Sequence, residues 1–283
     1  MARRLPQSRP RRQTEKPTNV VGFRNLSTLR TQRERRGSTL SVYASCYGSY
    51  SVDCVTPTKG APENGEHVQE MTNAKLILLE GLPGSGKTTM SRKLFDRISV
   101  VNKCLVQESS DSSPIDRGAI ADIGTWPART LQEWEKLSAD IVAQQKLCVM
   151  EYVWFQHTIA EMLLIDCTRN QIVGFCRKIE NIIKDIPPVL VLYTANNAET
   201  FLKETYELRG GEWSEKLDGF IDTTPYGQKR NLTGFGGFVD FFNEYASITN
   251  DVYDQLEIDS IAIDVTKRDW PKAENLTYEF LQI

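Results

Sequence analysis

The stretch from Leu76 to Phe95, LILLEGLPGSGKTTMSRKLF, leaves the chain few ways to fold. An apolar run meets Glu80 and then a glycine-rich turn, and an amphipathic segment follows the lysine. Gly81, Gly84, Ser85, Gly86, Lys87 and Thr88 satisfy the spacing G-x-x-x-x-G-K-[ST], with Thr89 continuing it. Glycine lets a backbone turn through positive φ and leaves no Cβ between main chain and ligand. Successive N–H groups can then point at a phosphate, and a helix beginning at the lysine adds its positive end. In such a cradle Lys87 reaches the β- and γ-phosphates and the Thr88 hydroxyl ligates Mg²⁺. The predicted ligand is therefore a nucleoside triphosphate, ATP, with Mg²⁺.

Five short apolar runs recur: 75–80, 103–108, 147–152, 188–195 and 260–265. They are continuous rather than alternating, as strands covered on both faces are. Helical stripes separate them. Met90, Leu94, Phe95 and Ile98 make one, and Phe155, Ile159, Met162 and Leu163 another. Ile172, Val173, Cys176, Ile179, Ile182 and Ile183 form a third, and Phe238, Phe241, Phe242, Tyr245, Ile248 and Val252 a long late one. Alternating β and α predicts an α/β domain with a parallel sheet between helices, over residues 71–283.

Residues 1–70 are different in kind. Positions 1–60 carry 12 Lys/Arg against three Asp/Glu, which leaves 22 against 34 in the remainder of the chain. The first part is rich in Arg, Ser and Thr, and 56–70 is a polar, turn-rich linker. Three readings stand side by side: an organelle transit peptide, a basic tail for nucleic acid or an anionic surface, and a solvated disordered arm or overextended start. The location follows from that choice: cytoplasm, or organelle stroma or matrix. No apolar run approaches the roughly 18–20 residues that cross a bilayer, so no membrane partner is expected. Six cysteines without CxxC or metal-ligand spacing predict free thiols, with Cys148, Cys167 and Cys176 in the core.

In a parallel sheet, ligands gather at the carboxyl ends of the strands. Two predicted strands finish there in Glu108 and Glu151. Glu151 is assigned to the metal shell. Glu108 is assigned as the base that takes the acceptor's proton, with Asp111 as alternate and Asp116 nearby. Glu80 ends the first strand and its role stays open. Arg209, at the end of a helix marked by Phe201, Leu202, Thr205 and Leu208, is the candidate to neutralise the transferring phosphoryl. The segment 209–236 after it reads as an irregular lid or substrate loop.

The P-loop class is narrowed by what surrounds it. Asn102-Lys103-Cys104-Leu105 lacks the Asp of a GTPase base-reading motif, and no ABC-type LSGGQ is present. EGLPGSGKTT, the acidic loop ESSDSSPID, Glu151 with YVWFQHTIAEMLL, PPVLVLY, LRGGEW and IDVTKRDW together resemble a bacterial group of P-loop kinase-like nucleoside triphosphatases. The resemblance covers about 75–283. It implies a three-layer α/β/α fold with a five-stranded sheet in the order 2-3-1-4-5. It further implies that Gln156 faces the substrate pocket and that IDVTKRDW borders the adenine. One departure bears on the acceptor: Ser113 stands where the group tends to have His, while Pro114 and Asp116 keep their places. The expected function is ATP/Mg²⁺-dependent transfer of the γ-phosphoryl group to a hydroxyl of a small molecule. A nucleotide-binding regulatory module with little turnover is the alternative. A polynucleotide 5′-kinase is disfavoured, since the domain's acidic balance repels a polyanion.

Overall fold

A computed structural model describes residues 73–108, 113, 115, 119, 122–210 and 219–283. The basic extension and its linker lie outside the described residues. The elements run β1 (Leu76–Gly81), α1 (Lys87–Arg97), β2 (Lys103–Val106), α2 (Trp126–Gln144), β3 (Leu147–Glu151), α3 (Phe155–Leu164), α4 (Arg169–Ile183) and β4 (Pro188–Thr194). They continue with α5 (Ala198–Arg209), α6 (Pro225–Arg230), α7 (Gly234–Tyr253), β5 (Asp259–Asp264) and α8 (Trp270–Leu281).

The strands form one parallel sheet in the order β2-β3-β1-β4-β5. The chain leaves β1 toward β2 in one direction and crosses from β3 to β4 in the other. Right-handed crossovers therefore place α1 on one face and α4 on the opposite one. α1 packs on β1, β2 and β3, with α8 beside it, joined through the Lys93–Glu274 ion pair and through Arg97 stacked on the Tyr278 ring. α2, α3, α4 and α7 pack on one another on the other face.

The central strands are apolar throughout because both faces are covered: every residue of β1 is buried, and so are the first six of β4. β5 departs from that expectation. It is an edge strand, and only Ile263 in it is buried. Side-chain burial of this kind contributes about 2–3 kcal/mol for each large apolar residue. Two of the largest contributors, Trp126 and Trp134, are fully buried on α2, a helix the sequence did not announce. The predicted irregular stretch after Arg209 is likewise corrected in its later part. Thr224 caps α6 by accepting from Gly227 N–H, and Pro225 starts the helix. Phe220, Ile221 and Tyr226 are buried there, and residues 211–218 lie outside the described residues.

The cysteine expectation also fails in part. Cys148 and Cys176 are buried, but Cys104 and Cys148 form a disulfide. They are register partners on the neighbouring strands β2 and β3, with Cα atoms 4.8 Å apart. Sequence spacing cannot show this, because the pairing is set by strand register.

Candidate active site

At the carboxyl edge of the sheet, the chain between β1 and α1 turns back on itself through Gly81, Gly84 and Gly86, all at positive φ. At Gly84 the requirement is steric as well as torsional. A Cβ there would lie 2.5 Å from the Thr205 methyl group on α5. Gly86 is the N-cap of α1 and offers no side-chain cap to the first amides of that helix. The Lys87 ammonium is buried under this turn and donates to the Gly81 and Leu82 carbonyls at 3.0 and 2.9 Å. Ser85 is buried, and among the described residues its hydroxyl has no hydrogen-bond partner.

Carboxylates surround that ammonium. Burial pushes Lys87 below the ordinary amine range, and the charges of Glu151, Glu108 and Glu80 oppose the shift. Glu151, at the end of β3, accepts from the Thr88 hydroxyl at 3.0 Å and from the Glu108 N–H at 3.2 Å, both on Oε1. Among the described residues its Oε2 is buried without a hydrogen-bond partner. An anionic oxygen left that way beside a hydroxyl fits a hard cation. Among the described residues no three His, Cys, Asp or Glu are grouped to hold a metal. Mg²⁺ does not need such a cage, since it keeps several waters and takes one or two protein oxygens plus phosphate. Gln107 fixes the end of β2 to α1: its side chain donates to the Thr88 carbonyl and Ser91 hydroxyl and accepts from Arg92.

Glu80 has a positional role the sequence left open. It is fully buried and accepts from the Trp154 and Gln156 amides at 2.7 and 3.0 Å, plugging the positive end of α3. Burial raises its carboxyl to about 7, against those amides and Lys87. The turn between β3 and α3 passes through Tyr152 at φ 73, a left-handed conformation uncommon for a residue with a side chain.

These groups open onto a cleft of about 480 Å³, lined by the cradle from Pro83 to Met90, by Glu108 and Glu151, and by Thr205, Leu208, Arg209, Arg268, Trp270 and Glu274. Strand order and cradle together decide the architecture. It is a P-loop α/β/α fold with the sheet order 2-3-1-4-5.

The cleft brings Gly84, Ser85, Gly86, Lys87, Thr88, Thr89, Glu108, Glu151 and Arg209 together. Gly81 shapes the turn from beneath, where a Cβ would lie 2.3 Å from the Tyr193 carbonyl. Gln156 does not join them. It is buried at the start of α3 and is not part of the cleft lining. Asp111 and Asp116 lie outside the described residues. Glu161, further along α3, is buried and accepts from the Ala119 N–H at 3.2 Å. Leu208, one of the positions that mark α5 in the sequence, is 72 % exposed at the cleft rim. Thr205, Arg268 and Trp270 complete the cleft on the far side. The Trp270 ring sits where a Cβ on Gly86 would meet it at 3.1 Å. The sequence signal for Arg268 and Trp270 is the IDVTKRDW loop, known only through the resemblance, while Thr205 stands out only as a helix position and not as a site residue.

Two solved structures are similar in outline. One is a deoxyadenosine kinase from M. mycoides with bound dATP, 10% identical, covering 74% of this chain and 100% of that one with a TM-score of 0.44. The other is a thymidylate kinase from Candida albicans, 15% identical, covering 72% and 92% with a TM-score of 0.40. No protein-family model and no curated protein matches the chain.

Proposed function

We propose that the domain is an ATP- and Mg²⁺-dependent phosphotransferase that moves the γ-phosphoryl group to a hydroxyl of a small molecule. The observation that carries this reading is the single cleft in which Lys87, Glu108, Glu151 and Arg209 meet above a cradle of glycine-turn amides. Phosphoryl transfer asks for little covalent work from a protein. It asks for positioning and for positive groups around the three equatorial oxygens. Lys87 and Arg209 supply charge from two sides. Thr88 and the unpartnered oxygen of Glu151 are the groups that would hold Mg²⁺, which when bound neutralises phosphate charge. Glu108 accepts the proton of the attacking hydroxyl as the bond from γ-phosphorus to the bridging oxygen breaks and ADP departs. Trp270, which lies against Gly86 in the cleft, would offer an aromatic face to a nucleotide base.

The test is incubation of the wild type and Lys87→Ala with MgATP and a metabolite extract, scored by mass for species heavier by one phosphoryl group. The expected result is a new phosphorylated product with the wild type alone. Hydrolysis of MgATP with no such product would overturn the transfer reading. Tight binding without turnover would leave a nucleotide-binding regulatory module in its place.

A further inference from the structure

We propose that Arg268 is a positioning residue for Arg209: it clamps α5 to the cradle and thereby sets the arginine that meets the γ-phosphate. The proposal rests on the reading of Arg209 given above. Arg268 shares the cleft with Arg209, yet among the described residues its side-chain contacts all go to α5. Its guanidinium donates from Nη2 to the Thr205 hydroxyl at 2.8 Å and to the Phe201 carbonyl at 3.1 Å. It stacks on the Phe201 ring at 4.2 Å, and its Nε lies 3.6 Å from Glu204. A guanidinium so engaged is directed at the helix rather than at a ligand.

The loop that carries Arg268 is itself anchored. Asp264 accepts from the Thr266 N–H at 2.8 Å and from the Asn196 side chain at 2.9 Å, while the Asn196 N–H donates to the Thr266 hydroxyl at 2.9 Å. Arg268 then takes a left-handed backbone conformation at φ 53, held by its N–H on the Val265 carbonyl at 2.9 Å. That bend, costly for a residue with a side chain, aims the side chain across the loop.

On the receiving side, Thr205 is buried between two partners. Its hydroxyl takes the Arg268 bond while donating to Phe201, and its methyl rests against Gly84 of the cradle. Arg209 follows four residues later, one turn on and on the same helix face. The chain of contact runs from the β5–α8 loop through Arg268 and Thr205 to the cradle, with Arg209 on the lever so fixed.

The experiment is calorimetric titration of the full chain with MgATP and, separately, MgADP. The variants are Arg209→Ala, Arg268→Ala, Arg268→Lys, Thr205→Val and the double Arg209→Ala/Arg268→Ala. The wild type is expected to prefer ATP, and Arg209→Ala to lose that preference. Arg268→Ala should lose about tenfold of it, in line with one charged hydrogen bond, while MgADP affinity holds. Arg268→Lys should recover part, because an ammonium still donates to Thr205. The double variant should be no worse than Arg209→Ala, since both act through one group. Thr205→Val keeps the packing shape and removes the acceptor, so it should move the same way even if Arg268→Ala folds poorly. Equal loss of ATP and ADP affinity in Arg268→Ala, adding to the Arg209→Ala loss, would overturn the proposal and make Arg268 a direct ligand contact. A wild type with no preference for ATP would instead overturn the underlying role of Arg209.

Discussion

The two walls of the cleft are built by different means. One wall, from β1, β2, β3 and the start of α1, presents Lys87, Glu108 and Glu151, all at least nine-tenths buried. Strand ends and a glycine turn hold it, so main-chain geometry dictates where its charges stand. The other wall, from α5 and the β5–α8 loop, presents Leu208 and Trp270 at 72 % and 38 % exposure. Side-chain contacts between distant segments hold it. The contrast teaches that the two walls should fail differently: changes in the first should act through the charges it fixes, and changes in the second through the alignment of Arg209.

The sharpest way to break that division is Lys87→Ala. Removing the charge at the cradle should lower turnover by about 100- to 1,000-fold, comparable to deleting one transition-state donor. Steady-state rates with MgATP measure it, and a loss under tenfold would put the rate-controlling charge elsewhere. Next in size is Glu80. Its carboxyl is raised from 4.5 to about 7, so the folded protein keeps a proton that the unfolded chain has lost between those values. Stability from this group is therefore greatest below about pH 4.5, falls as pH rises to about 7 and is flat beyond. The total is on the order of 3 kcal/mol. Urea unfolding across that range should show the decline in the wild type and a flatter profile in Glu80→Gln. Parallel profiles would remove Glu80 from the account.

Gly84→Ala tests the seam where the walls meet. A methyl group at φ 80 beside the Thr205 side chain should cost about 1–3 kcal/mol, read as a lower melting temperature and weaker MgATP binding. An unchanged melting curve would mean that α5 is not seated on the cradle. Smallest of all should be Lys93→Ala, which removes the surface pair with Glu274 on the second wall. Exposed pairs are worth under about 1 kcal/mol, so MgATP affinity should shift less than about fivefold.

The same division explains what could be read from the chain. The five apolar runs, the cradle and the strand-end carboxylates are local patterns, and they stand within a residue or two of where they were expected. α2 was missed because its buried stripe, Trp126, Thr130, Trp134, Leu137 and Ile141, passes through a threonine amid many polar neighbours. α8 buries Ala273, Thr277 and Leu281, too faint an apolar signal to register. The Cys104–Cys148 link and the Arg268–Thr205 bond join residues 44 and 63 positions apart, so only the folded register brings them within reach.

Glu80 carries a consequence for any guest arriving at the sheet edge. Two helices, α1 and α3, begin there, and each is a socket of inward-turned amides. The chain seats its own side chain in the second socket and leaves the first without a stopper. Choice of docking berth is thus settled by the fold itself, through the Glu80 carboxylate seated on the Trp154 and Gln156 amides.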